Sequence, residues 1–497
     1  MYPPHVAKSR PNTLACVVAE TGDSLTYAQL DAYSNQFAHL LRQNGVRPGD
    51  ALAIIAENGL GWPIVVAAGM RSGVEVTPIN WHLKPAELAS ILEECSPAAI
   101  VTSAKLRDVV SDALATSGVT SRLVVEMDDL AETCRTLPTT PIEDELLGAR
   151  VLYSGGSTGR PKAYRQPLLG IHPADAPPRH SHLAQALGLD QDTVFLSPAP
   201  NYHAAPFTFQ LMVLGLGGTI VTLESFDGAT AMRAISAHGV THSQWVPTML
   251  TRLLRIPDRD KLPPRPTHRV AVTSGAPCPP ELKDAITAWW GPMLHEYYGA
   301  SEGYGHTYIS ATDALTHRGS VGRGLGPTRV RVVDDQGAPV PAGEIGLVEF
   351  GQAGADAQGL PAPPKRWRGM GDLGRLDEDG FLHLTGRSSS MIISGGVNIY
   401  PEEVEAALAN HPSVADCTVF GIPDPDFGEQ VKAVVELDPR APRVSADELI
   451  AFCREQLASF KAPRSVDLVD RLPRLPTGKL NKTALRSTYL PAKQPLG

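Results

Sequence analysis

From Ser24 to Gly45 the chain reads SLTYAQLDAYSNQFAHLLRQNG, with Leu30, Tyr33, Phe37, Leu40 and Leu41 three or four positions apart. That spacing predicts an amphipathic helix, and Asn44-Gly45 supplies its stop signal. A short apolar run, DALAIIAE, then predicts a buried strand, GWPIVVAAGMRSG a helix and VEVTPIN another strand. Strand, helix, strand in this order predicts parallel α/β architecture. The rhythm continues, with strands predicted at AAIVTS, RLVVEM, GARVLYS and TVFLSPAP and helices at ATAMRAISAHGV, PTMLTRLLRI and PPELKDAITAWWG.

From Gly319 the texture changes. RVRVVDDQGAPVPAGEIGLVEF and GRLDEDGFLHLTG alternate apolar and polar positions around Gln-Gly and Asp-Gly, as hairpins do. Between them GQAGADAQGLPAPPKRWRG, rich in Gly, Ala and Pro, predicts a loop. After GRSSSMIISGGVNIY a small α/β unit is predicted: helix PEEVEAALANHP, strands DCTVFGIPD and EQVKAVVEL, helix SADELIAFCREQL. The expected organisation is a large domain over 1–387, a hinge at 388–390 and a small domain over 391–497, with a frayed tail after Tyr489. No internal repeat or long low-complexity segment interrupts it.

Composition narrows the function classes. The 497 residues carry a net charge of −9, which disfavours nucleic acid as a partner. No run of about 18 apolar residues suggests a membrane span. The opening MYPPHVAKSRPNTL lacks the apolar core of a signal peptide, so a cytoplasmic protein is expected. The cysteines, Cys16, Cys95, Cys134, Cys278, Cys417 and Cys453, form no CxxC pair and read as buried free thiols.

The chemistry concentrates in LYSGGSTGRPKAYRQ, residues 152–166. Ser154, Gly155, Gly156, Ser157, Thr158 and Gly159 offer backbone N–H groups and hydroxyls to a phosphate, and Lys162 a cation. The stretch is not a P-loop, because Arg160 and Pro161 separate Gly159 from Lys162 and Ala163 stands where Ser or Thr would bind magnesium. On composition alone it is a nucleotide loop of another kind or a plain turn.

The order of residues resembles the signature loop of the adenylate-forming superfamily, which includes acyl-CoA synthetases, luciferases and the adenylation domains of peptide synthetases. Ala163 replaces the usual final glycine. Further motifs of that family follow in its order. HEYYGASEG resembles its Y-G-x-T-E motif. The match implies adenine stacking by Tyr298 beside Gly299, an α-phosphate contact from Ser301, and Mg²⁺ held by Glu302. TSGAPCP resembles the segment lying against adenine and the acyl pocket, here Gly275, Ala276 and Pro277. SPAPNYHAAPF resembles the motif that places His203 in the acid site. RGMGDLGRLDEDGFLHLTGR implies ribose contacts from Asp372 and Arg387. LPRLPTGKLNK implies a catalytic lysine, Lys479, and SGGVN implies a pantetheine channel shaped by Gly395 and Gly396.

More narrowly, THSQWVPTM and MIISGGVNIYPEEVE look like bacterial acyl-CoA synthetases of the fatty-acid and carnitine-type ligase group. The resemblance implies an α/β fold whose large N-terminal domain has two α/β subdomains and a β-rich one, with a small mobile α+β domain after it. It implies ATP, Mg²⁺ and coenzyme A, and conversion of a carboxylate first to acyl-AMP and then to acyl-CoA. Serines at 388–390, Met370 in place of a threonine, and Tyr304 depart from the pattern. They leave open an adenylating enzyme of natural-product biosynthesis that does not use CoA, such as an amide-forming ligase or an ATP-dependent diazotase activating nitrite for an aromatic amine. A binding protein without chemistry would be expected to lack Lys479 or Glu302, and both are present. The acid's identity and the choice between monomer and homodimer stay open.

Overall fold

The computed structural model describes residues 2–489 apart from 155–161, 178–180, 263–264, 300–302, 356–360, 388–389, 395–396, 425–426, 458 and 475–479, with backbone only at 154, 162, 260, 355, 361, 393, 397–398, 428 and 483. By packing, the chain divides into two units, Met1–Gly303 with Ser310–Thr312, and Tyr304–Ile309 with Asp313–Gly497. The β-rich segment is thus grouped with the C-terminal residues. The hinge expected at 388–390 falls largely outside the described residues.

The first unit holds two mainly parallel sheets. Its strands are β1 (Leu14–Val18), β2 (Ser24–Thr26), β3 (Ala51–Ile55), β4 (Glu75–Pro78), β5 (Ala99–Thr102), β6 (Leu123–Glu126) and β7 (Ala149–Ser154). They continue with β8 (Lys162–Arg165), β9 (Val194–Ser197), β10 (Thr219–Thr222), β11 (His242–Trp245), β12 (Val270–Thr273) and β13 (Leu294–Gly299). One sheet runs β6-β5-β3-β4-β7-β8; the other includes β13-β12-β11-β9-β10-β1-β2.

Alternation along β3 explains why the first sheet carries helices on both faces. Leu52 and Ile54 pack with Phe37 and Leu41 of helix Tyr27–Gln43 and with Trp62 and Val65 of helix Gly61–Arg71. Ala53 and Ile55 point the other way, onto Leu88 and Leu92 of helix Pro85–Cys95 and Val110 of helix Arg107–Ser117. Helix Tyr27–Gln43 starts at a capping box between Thr26 and Gln29 and ends at Asn44, as expected. In the second sheet Leu196, Val221, Trp245 and Ala271 meet Met232, Leu250 and Ile286 from the covering helices.

The second unit begins with β14 (His306–Ile309) and β15 (Arg323–Gly324), followed by β16 (Thr328–Val333), β17 (Gly346–Gln352), β18 (Gly354–Ala355), β19 (Pro361–Ala362), β20 (Trp367–Leu376) and β21 (Leu382–Arg387). Both expected hairpins form, since β16, β17, β20 and β21 make one antiparallel sheet in that order. The segment expected to be a loop is partly structured: β18 pairs with β19, and Trp367 already belongs to β20. Pro, Gly and Ala hid these short ladders, which backbone pairing rather than side-chain pattern defines.

The chain then forms β22 (Ile392–Ser394), β23 (Val397–Ile399), β24 (Val414–Asp424), β25 (Gly428–Leu437) and β26 (Ser465–Val469). Helices Pro401–Ala409 and Ala446–Gln456 cover one face through Val404, Leu408, Leu449 and Cys453. Helix Lys482–Tyr489, which the pattern did not announce, packs Leu485 on Phe420 and Val434. All six cysteines are free, and all but the half-buried Cys278 are buried. Among the described residues no helix is long and apolar enough to cross a membrane.

Candidate nucleotide and acid site

Three of the expected site segments leave the same edge of one sheet. Strands β9, β10, β11, β12 and β13 are mutually parallel, with Ser197 beside Thr222, Trp245 beside Thr273 and Thr273 beside Glu296. In open α/β sheets the crevice outside the carboxyl ends of the strands is where ligands bind. From the end of β9 the chain runs through Asn201 and Tyr202 to His203, which precedes helix Ala204–Leu216 in an extended conformation. From the end of β12 it runs through Ser274 to Gly275, Ala276 and Pro277. Gly275 has φ +83°, a conformation costly for any residue with a Cβ. Tyr298 and Gly299 end β13 itself.

Several polar groups at this edge lack a protein partner among the described residues. The hydroxyls of Ser197, Thr222 and Thr273, which end their strands, are buried and without hydrogen-bond partners among the described residues. The side chain of Asn201 and the Tyr202 hydroxyl, which follow β9, share that state, as does the side chain of Gln210 two turns into helix Ala204–Leu216. Native interiors pair nearly all such groups, so a concentration of them points to a place where water or ligand completes the bonding.

Neighbouring charges hold the frame. Arg150 of β7 donates to the Thr208 hydroxyl, tying the first sheet to helix Ala204–Leu216. Burial pushes the Tyr297 hydroxyl up, opposed by the neighbouring Ser274 side chain and the positive charge of Arg150. Lys283 of helix Pro280–Trp290 pairs with Glu296, two residues before Tyr298 on β13, with only 10% and 5% of the two side chains exposed. Burial raises the Glu296 carboxyl, opposed by the Lys283 ammonium. His203 is half-buried, with its ring centroid 4.3 Å from that of Tyr202.

The glycine-rich stretch connects β7 to β8, an antiparallel pair whose register sets Ser154 opposite Lys162. Gly155, Gly156, Ser157, Thr158 and Gly159 lie outside the described residues, as do the side chains of Ser154 and Lys162. Ser301, Glu302, Gly395, Gly396 and Lys479 also lie outside them.

The second unit contains the other expected pair. Asp372 and Arg387 stand opposite each other on β20 and β21, and Arg387 Nε donates to Asp372 Oδ1 at 3.0 Å. The carboxylate is 11% exposed and the guanidinium 64%. Gly371, with φ +79°, lies within β20 just before Asp372, where the register with β17 shifts. The segment around Lys479 is closed at its base by an antiparallel bridge from Arg474 to Leu480 and by Asn481 N–H donating to Pro473 O at 2.8 Å.

Sequence patterning missed Asn201 and Gln210. Helix Ala204–Leu216 is apolar almost all round, so it has no stripe for periodicity to detect. The one available signal was a glutamine inside AAPFTFQLMVLGL.

A parallel sheet with the expected site segments at its carboxyl edge, followed by a small α+β domain, is the architecture expected of an adenylate-forming enzyme. The family model for AMP-binding enzymes matches residues 4–354, and that for the AMP-binding enzyme C-terminal domain matches 403–479. The chain belongs to the AMP-binding enzyme family. It is 29% identical to the long-chain-fatty-acid–CoA ligase FadD13 of Mycobacterium tuberculosis, over 96% of each chain. It is 31% identical to a feruloyl-CoA synthase of Amycolatopsis, over 97% of this chain and 98% of the other. Among solved structures it resembles the o-succinylbenzoate coenzyme A synthetase MenE of Bacillus subtilis in complex with ATP and magnesium. That match has a TM-score of 0.81 and 27% identity, and covers 97% of this chain and 98% of that one.

Proposed function

We propose that the chain is an AMP-forming acid–thiol ligase. A carboxylate oxygen attacks the α-phosphorus of ATP, pyrophosphate leaves, and the acyl-AMP is then opened by the thiol of coenzyme A to give acyl-CoA and AMP. The observation that carries this reading is the end-to-end match to acyl-CoA ligases across both family domains, together with His203, Gly275 and Tyr298 on one carboxyl edge of a parallel sheet.

The residues fit the polar half of such a substrate. Tyr298 offers a face for adenine, and Gly275–Pro277 allow close approach of the base. Asp372, paired with Arg387, would accept from the ribose hydroxyls, as the family's motif implies. The segment from Ser154 to Lys162 would take the β- and γ-phosphates, and Ser301 the α-phosphate. Lys479 would bridge the carboxylate and the α-phosphate, where charge builds as the bond forms. Glu302 would hold Mg²⁺, which supplies charge neutralisation at the phosphates. His203 would border the acid. In the second step, as the family pattern implies, the small domain would turn about residues 388–390 and present Gly395 and Gly396 to the pantetheine arm.

The test uses purified protein with Mg-ATP and an acid panel, with and without CoA, counting AMP and identifying products by mass. Acid-dependent AMP release accelerated by CoA, with an acyl-CoA product, is expected. AMP release indifferent to CoA would overturn CoA as acceptor. Samples with nitrite plus an aminoaryl acid, or with amines, would then identify the acceptor.

A further inference from the structure

The first sheet ends at β8 on one side and at β6 on the other, and β6 is bonded only to β5 among the described residues. We infer that β6 is a dimerisation edge, pairing antiparallel with β6 of a second copy about a two-fold axis through Val124. The inference is independent of the activity assigned to the nucleotide and acid site.

Backbone bonding selects both the partner and the register. Leu123 N–H donates to Ala98 O at 3.3 Å and Met127 N–H to Thr102 O at 2.6 Å, so Leu123, Val125 and Met127 turn their peptide groups toward β5. The residues between them turn theirs the other way, which leaves Val124 and Glu126 facing the open edge. Two groups beside that edge are already used. Arg122 N–H donates to Ala98 O at 2.9 Å, and Glu126 O accepts from Asp129 N–H at 3.2 Å. What remains is Arg122 O, Val124 N–H, Val124 O and Glu126 N–H. A two-fold axis through Val124 closes this set. Val124 N–H meets the partner's Val124 O, Glu126 N–H meets the partner's Arg122 O, and both bonds repeat by symmetry. Moving the axis to Val125 would instead aim Val124 N–H at the partner's Glu126 O, which is taken.

The side chains agree with that register. It sets Arg122 opposite the partner's Glu126 at both ends, and opposite charges across a ladder stabilise it. Arg122 already bonds Asp50, and Glu126 already bonds Arg107. The contact joins these surface pairs into a row of alternating sign. Val124 itself is 49% exposed. It lines a groove of about 540 Å³ with Val110 and Leu114 of helix Arg107–Ser117 and with Leu123 and Val125. Proteins usually guard an open edge with lysine, proline or a bulge. β8, at the other end of the sheet, reads Lys-Ala-Tyr-Arg, whereas β6 reads Leu-Val-Val-Glu and pairs with β5 without a register break.

The test begins with sedimentation equilibrium of wild type and V124K. An edge contact of this size belongs to the weak class, so wild type is expected as a monomer–dimer mixture at micromolar concentrations. V124K places a lysine on the open edge and should weaken dimerisation by at least about 10-fold, with thermal unfolding of the monomer unchanged. Cysteine substitutions then read the register. With oxidised glutathione as oxidant, V124C should give a disulfide-linked dimer, since the pairing sets the two Cα atoms about 5.5 Å apart. R122C and E126C should link to each other when mixed and not to themselves. The native cysteines, buried or half-buried, are the background that wild type reports. A wild type that stays monomeric overturns the inference, whatever else the edge binds. So does a dimer that V124K leaves as tight as before, or one in which E126C links to itself and V124C does not.

Discussion

Three histidines in and beside the second sheet are held below their ordinary titration range. His242 bonds through Nδ1 to the Thr241 hydroxyl at 2.8 Å and through Nε2 to Leu187 O at 3.0 Å. His268 bonds through Nε2 to the Ser243 hydroxyl at 2.8 Å. Burial lowers His242 to about 4, His268 to about 3 and His295 to about 4, from an ordinary 6.5. Below pH 6.5 the unfolded chain therefore takes up protons that the folded chain refuses. Stability is full above that pH and falls as the pH drops toward 4. Each histidine contributes on the order of 2–3 kcal/mol to the loss. Urea unfolding from pH 7.5 to 4.5 should show a steep fall, and H268F should flatten it; equal slopes in wild type and variant would contradict the assignment. At this scale linear motifs were legible and isolated side chains were not. Asp372 and Arg387 stood out because each sits in a characteristic string, and β20 and β21 place them opposite each other. Gln210 stood in an unpatterned helix, and its meaning depends on neighbours distant in sequence.

At the scale of elements, the hydrophobic pattern foretold one-faced elements such as Tyr27–Gln43 and the hairpin β20–β21, though helices Pro85–Cys95 and Arg107–Ser117 went unread. It failed where burial is uniform, at Ala204–Leu216, and where backbone pairing alone defines structure, at β18 and β19. The Lys283–Glu296 pair also escaped it. A charged pair inside PPELKDAITAWWG and LHEYYG reads as surface decoration until the fold shows both buried. This pair fastens helix Pro280–Trp290 to the strand that ends in Tyr298. Removing one partner strands the other charge, so K283M should destabilise the protein by about 3–5 kcal/mol. The double variant K283M/E296L should recover most of that loss, because two buried desolvation costs vanish together. Chemical denaturation of the two single variants and the double variant measures the coupling; simple additivity would show that the pair does not act as a unit.

At the scale of the molecule, the order of motifs along the chain carried more than any one of them. A Gly/Ser turn, a Tyr-Glu pair and an exposed lysine are each commonplace, but their succession matched one family over nearly the whole length. What succession does not give is where the chain divides: packing groups residues 313–387 with the C-terminal segment, although their motifs read as part of the large domain. The proposed mechanism asks the same small C-terminal domain to serve two reactions in turn, Lys479 in the first and Gly395 with Gly396 in the second. The two steps should then be separable by mutation. K479A should lower acid-dependent ATP–pyrophosphate exchange by at least about 100–1,000-fold, the usual cost of losing one group that stabilises developing charge. It should leave thioester formation from supplied acyl-AMP within a few-fold of wild type. Gly396→Leu should do the reverse, because a side chain there would obstruct the thiol arm and not the nucleotide. Measuring both half-reactions on both variants decides the matter. If each variant loses the two steps together, one fixed arrangement performs both, and the serines at 388–390 are a linker rather than a hinge.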